Sequence, residues 1–114
     1  MIKIEIQRQN NRITYFEIKG HADFSGFGED VICAAVSSVG QMTINGLIET
    51  LKLQEKLEYV EKDGLITCDL KESELTDEEL EKADILIETM YSYLKAVARS
   101  YSEFVRLEEK IEKK

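Results

Sequence analysis

The chain has no proline, a single histidine and only two cysteines in 114 residues. Without proline, no turn depends on a pyrrolidine ring. Two cysteines make no disulfide framework. The N-terminus MIKIEIQR is too polar and too alternating for a secretory leader. With no export signal, the expected setting is a reducing cytoplasm and two free thiols. No apolar run reaches the roughly 20 residues of a membrane span, so no membrane is expected. Positive charge is also short: 15 Lys and Arg face 23 Asp and Glu, a net −8. Such a surface disfavours nonspecific contact with nucleic acid or anionic lipid. It suits a basic partner, or it serves solubility alone.

Chemical motifs are equally sparse. There is no CxxC, and His21, Cys33 and Cys68 lack the spacing of a zinc site. No GxGxxG, Walker loop or Ser-centred elbow appears. No cofactor or metal is therefore expected. The lone histidine means that any Cys–His chemistry must use His21.

The length fits one domain over residues 1–114. A chain of this size buries roughly two-thirds of its unfolded surface, enough for a core without staples. Residues 2–7, IKIEIQ, alternate as a strand with one buried face. Asn10-Asn11 suits a tight turn. Residues 13–19 form the returning strand, with Thr14, Phe16 and Ile18 on its core face. After a glycine-rich loop, Asp30 is a suitable N-cap for a helix reaching about Gln54. On it Ile32, Ala35, Val36, Val39, Thr43, Leu47 and Leu51 share one face. A second stripe, Cys33, Ser37, Gly40, Ile44 and Ile48, changes from small and polar to aliphatic, which suggests packing on another subunit at its far end.

Residues 57–61 and 65–70 read as strands joined by the Asp63-Gly64 turn. Cys68 falls on an apolar strand face, where a small buried hydrophobe is expected. Thr76 and Glu79 have capping-box spacing at the head of a second helix, followed by an apolar stripe from Leu80 to Ala98. Residues 104–108 fit either a strand or more helix, and the charged tail, about 109–114, is expected to fray. The order β-β-α-β-β-α predicts an α+β two-layer sandwich, an antiparallel sheet with two helices on one face.

The stretch from Gly20 to Gly40, GHADFSGFGEDVICAAVSSVG, concentrates the reactive residues. His21 follows a strand, and Cys33 falls about the third position of the helix that Asp30 opens. Free amides and the helix dipole favour a thiolate there, and the same amides can hold an oxyanion. His21 is placed to act as base toward the thiol and acid toward a leaving amine. Gly26 and Gly28 give the intervening loop backbone freedom. Phe24 and Phe27 either anchor that loop or line a substrate groove, and residue type does not choose. From these residues alone, a structural histidine competes with a catalytic one.

The runs GHA at Gly20 to Ala22 and G-x-D-x-x-C-A-A-V-S at Gly28 to Ser37 resemble the signature of the ribosomal-processing cysteine proteases of bacteria, the Prp or YsxB-like family. Element order and length match too, so the resemblance covers essentially the whole chain; Ile32 stands where valine is common. The resemblance implies a cysteine endopeptidase that removes an N-terminal extension from the large-subunit ribosomal protein numbered twenty-seven. His21 matches the family's catalytic histidine and Cys33 its nucleophile, with Asp30 and Ser37 at other signature positions. It also implies a homodimer and a loop, residues 22–29, that reorders over the site. Asp30 either orients His21 or only caps the helix, and Ser37 either contacts substrate or permits close packing. The competing expectation is a non-catalytic ribosome-assembly binding module of the same fold.

Overall fold

The computed structural model describes residues 1–20 and 29–112, the side chains of residues 29 and 30 excepted. Five strands form one sheet: β1 (Ile2–Gln9), β2 (Arg12–Lys19), β3 (Glu58–Lys62), β4 (Leu65–Asp69) and β5 (Val105–Glu112), in spatial order β3-β4-β2-β1-β5. Two helices complete the layers: α1 (Glu29–Asn45), extended by a π-helical turn over Gly46–Thr50, and α2 (Asp77–Ser100).

β1 and β2 form a hairpin because Asn10 and Asn11 both accept positive φ, 53° and 63°, as its two-residue turn requires. Ile4 then lies opposite Ile18 and Ile6 opposite Phe16. Strict alternation fails once. Gln7 pairs with Tyr15 but Arg8 with Ile13, so Thr14 is an extra residue on β2. The bulge reverses the facing of residues before it. Ile13, not Thr14, therefore enters the core, and Thr14 Oγ1 donates to Gln7 O instead.

The isoleucines of β1, with Phe16, Ile18, Ile66, Cys68 and Val105, form one apolar sheet face, and α1 and α2 cover it. On α1 the buried side chains are Val36, Thr43 and Ile44, and Leu47 follows in the π turn. Ile44 is fully buried in the chain's own core, which removes the expected subunit contact there. Ala35, expected on the buried face, is exposed. The helix also ends earlier than Gln54: Leu51 N–H donates to Gly46 O and Lys52 takes a φ of 58°, which turns the chain so that Leu53 is buried. By length and a mean hydropathy of 1.5, Val31–Thr50 is apolar enough to cross a membrane, against the expectation that no such run exists. In the fold this segment lies on the sheet through its buried residues.

α2 begins as its capping box requires. Glu79 N–H donates to Thr76 Oγ1, and Thr76 N–H donates to the Glu79 carboxylate at 2.9 Å. Ala83, Ile87, Met90 and Leu94 are its buried stripe. The helix carries the chain across the sheet to β5, which pairs parallel with β1 from Ile2↔Val105 to Gln9↔Glu112. The sheet is thus mixed rather than wholly antiparallel, and residues 109–112, expected to fray, belong to a strand. β1 and β4 run the same way, since each is antiparallel to β2, and the helical crossover of α2 brings β5 back in the direction of β4, hence parallel to β1. The two-layer α+β arrangement itself is as expected.

Candidate active site

The two cysteines have different surroundings. Cys68, in the middle of β4 between Phe16 and Tyr59, is wholly buried, and burial pushes its thiol up to about 12, with Asp69 adding to the effect. A thiol held protonated and out of solvent is inert. Cys33 is half-buried on α1 and packs its inner side against the core. Among the two thiols it alone reaches solvent.

α1 starts at Glu29, one residue before the expected cap. Asp30 is the second helical residue rather than the N-cap, and Cys33 the fifth rather than the third. The amide of Cys33 is therefore within the helical ladder. Its Cα–Cβ bond still tilts toward the helix N-terminus, back toward the first-turn amides that have no helical acceptor. The thiol therefore leans toward the positive end of the helix dipole.

The strand end that leads to His21 is held firmly. Gly20 has a φ of 129°, and a Cβ there would lie 2.6 Å from Met1 O, so only glycine fits. Its N–H donates to Gly64 O at 3.0 Å, across to the β3–β4 turn. Gly40 sets the helix in the same way. A Cβ there would meet Ile18 Cδ1 at 2.7 Å and Ile66 Cδ1 at 3.1 Å, so its absence lets α1 sit close on β2 and β4.

Between these anchors lies a cleft of about 570 Å³. Ser37, one turn after Cys33, lines it from the helix, and Gly20 lines it from the strand end. Its floor is aliphatic, its walls carry Gln41 and Asn45, and the β3–β4 turn closes one side. The structure thus brings Ser37 and Gly20 to one cleft, with Cys33 a turn away. His21, Phe24, Gly26, Phe27 and Gly28 lie outside the described residues, as does the Asp30 side chain. Gln41 and Asn45 were not singled out from sequence. Their spacing of four from Ser37 was the available signal. Among the described residues, no group of three or more His, Cys, Asp or Glu is arranged to hold a metal.

Fold and cleft together define a small α+β domain with one solvent-accessible thiol near the head of a helix. Residues 1–106 match the family model described as cysteine protease Prp. The ribosomal processing cysteine protease Prp of Bacillus subtilis (strain 168) is 33% identical over 108 residues, 94% of this chain and 96% of that protein. Two solved structures superpose closely. SMU.848 from Streptococcus mutans has a TM-score of 0.77 at 28% identity, covering 98% of this chain and 96% of that one. The essential ribosomal processing protease Prp from Staphylococcus aureus, in complex with a covalently linked product peptide, has a TM-score of 0.74 at 25% identity, covering 96% and 100%. The chain belongs to the Prp family of ribosomal-processing cysteine proteases.

Proposed function

We propose that Cys33 and His21 are the nucleophile and the acid–base partner of this protease. The observation that carries the reading is the shared cleft: Gly20, which precedes His21, and Ser37, one turn after Cys33, line the same wall-to-wall space. In the proposed reaction, His21 takes the thiol proton as Cys33 Sγ bonds to the scissile carbonyl carbon. The first-turn amides of α1 hold the oxyanion. The C–N bond then breaks, the amine leaves with the proton from His21, and a thioester remains. Water, deprotonated by His21, hydrolyses it to a carboxylic acid and the free thiol. The covalently linked product peptide of the Staphylococcus aureus relative supports a covalent course.

The substrate we propose is the extended large-subunit ribosomal protein numbered twenty-seven, on the family resemblance and the relatives' ribosomal-processing names. A net charge of −8 suits a basic ribosomal protein and disfavours direct binding of nucleic acid. Loop 22–29, with Phe24, Gly26, Phe27 and Gly28, would contact the substrate, as would Ser37. Asp30 is the second residue of α1. We also propose a homodimer, which the same resemblance implies, and a cytoplasmic location, the expected setting of two free thiols. An apolar groove between α1 and α2, lined by Val39, Met42, Leu86 and Tyr93, is the face we assign to such a pair.

The deciding experiment is incubation of wild type and Cys33→Ala with the extended ribosomal protein, read by intact mass. A single cut near the substrate's N-terminus, by wild type only, is expected. Binding without cleavage by either protein would replace this reading with a binding module.

A further inference from the structure

The ladder between β2 and β4 continues past its last strand pair, Lys19↔Leu65. One step further, Gly20 N–H donates to Gly64 O at 3.0 Å. Gly20 and Gly64 therefore stand opposite each other, and such a hydrogen-bonded antiparallel pair holds its Cα atoms about 5.5 Å apart. His21 is bonded to Gly20, and Asp63 is bonded to Gly64. Consecutive Cα atoms are about 3.8 Å apart, so chain connectivity alone keeps the Cα atoms of residues 21 and 63 within about 13 Å. Asp63 lines the cleft that Ser37 lines from α1. A histidine that serves Cys33 has to turn to that same side.

The other charges around this point are less well placed to hold an imidazole. Glu61 and Lys62, on the same hairpin, also line the cleft. Glu61 pairs with Ile66, further from the turn, and Lys62 has the wrong sign for an imidazolium. The Met1 amino group is positive too, and Met1 O lies 2.6 Å from where a Gly20 Cβ would be. α1 contributes Cys33 and opens with Glu29 and Asp30. Among the carboxylates of the hairpin, Asp63 is the one whose neighbour is hydrogen-bonded to the residue before His21.

We propose that Asp63, in the β3–β4 turn, is the positioning residue for His21. The proposal rests on the assignment of His21 as the acid–base partner of Cys33. The Asp63 carboxylate accepts from the ring nitrogen turned away from the thiol. That fixes the tautomer and leaves the other nitrogen to take the thiol proton. Once the proton has moved, the carboxylate faces an imidazolium and stabilises it. Asp63 thus takes the orienting role that the sequence left open for Asp30. The turn itself does not require an acid, since Asn-Gly serves a two-residue hairpin as well as Asp-Gly. Asp63→Asn therefore removes the charge and keeps the turn.

The chain has a single histidine, so the imidazole proton signals in an NMR titration read His21 without further assignment. Wild type, Asp63→Asn, Asp63→Glu and Asp30→Asn are titrated. Glu58→Gln, exposed at the far end of β3, controls for the change in net charge. A nearby carboxylate favours the charged ring, so Asp63→Asn is expected to lower the imidazole pKa by about one unit. Asp63→Glu keeps a carboxylate and should recover most of that shift. Asp30→Asn and Glu58→Gln should follow wild type. In cleavage of the extended ribosomal protein, Asp63→Asn should lose about tenfold in kcat with KM near wild type. The limb of its pH–rate profile that reports His21 should move to lower pH along with the NMR value. An imidazole pKa unchanged in Asp63→Asn overturns the proposal, and one that falls in Asp30→Asn instead gives the role to Asp30. If the pKa falls in Asp63→Asn while wild type cuts nothing, the pairing stands and the protease assignment falls.

Discussion

Two corners of the molecule use their polar groups in opposite ways. Where β1, β5 and α2 meet, charge is committed. Arg8 donates to Glu88 at 2.6 Å and 3.2 Å and to Glu109 at 2.8 Å, and Tyr91 donates its hydroxyl to Glu109 at 2.6 Å. The Arg8 guanidinium also sits 5.4 Å from the Tyr91 ring centre, and Lys95 lies 5.1 Å from it. These contacts tie the parallel edge strand to the helix that delivered it. At the cleft, by contrast, Gln41 and Asn45 have no such partners among the described residues, and Cys33 is half open to solvent. A corner that holds the fold together saturates its donors and acceptors. A corner that must take up another molecule keeps them in reserve.

The largest break in this comparison comes from the thiols. Cys33→Ala should abolish cleavage, whereas Cys68→Ala should retain most of it and lose stability instead, by about 1–2 kcal/mol for a small buried side chain. Alkylation with iodoacetamide followed by intact mass should add one label to the native protein near neutral pH. Two labels would place Cys68 in solvent, against its burial and its thiol raised to about 12.

Gly40→Val should come next. Its side chain would push against Ile18 and Ile66, lifting α1 from the sheet and costing about 1–3 kcal/mol with loss of activity, read by chemical denaturation and cleavage assay together. Arg8→Ala should cost about 2 kcal/mol through its charged hydrogen bonds while cleavage per folded molecule stays near wild type. Activity lost in proportion would couple the two corners and weaken the contrast.

The acid side of the stability profile gives a smaller effect. Glu109 is held below the usual carboxylate range by the Tyr91 hydroxyl and by Arg8, and Glu5 by Gln7 and Lys110. With folded pKa values below unfolded ones, the unfolded chain binds more protons as pH falls. Stability from these groups is complete above about pH 4.5 and is lost as pH drops through the folded values. Denaturation midpoints should therefore fall below pH 5 and be flatter for Glu109→Gln. Asp84 runs the other way, raised by burial and by Glu88, with a buried Oδ1 that has no hydrogen-bond partner among the described residues. A raised carboxyl costs stability above its folded pKa, so Asp84→Asn should stabilise the protein slightly at pH 7, by less than about 1 kcal/mol.

Much of this was legible because it is local. The paired asparagines at residues 10 and 11, the Asp63-Gly64 turn and the Thr76–Glu79 capping box each satisfy their own backbone within four residues, so their chemistry is written in adjacent letters. The strand alternation of residues 2–7 and the stripe of α2 follow from burying one face. What misled was also specific. The bulge at Thr14 inverts a face that simple alternation assigns, because an extra residue costs nothing in pattern but shifts every side chain before it. Ile44 reads as a second stripe, yet a helix seated on glycine at Gly40 buries a wider arc than one row.

By itself the sequence determined the two layers, the residues able to carry thiol chemistry and the family, since these rest on local propensity, on residue type and on a contiguous motif. Only the tertiary structure decided that β5 joins β1 in parallel, that Cys33 is half open to solvent, and that Ser37, Gln41 and Asn45 share a cleft with Gly20. Those facts depend on which distant segments meet. Such meetings are set by how the whole apolar surface is covered at once, not by any one stretch of chain.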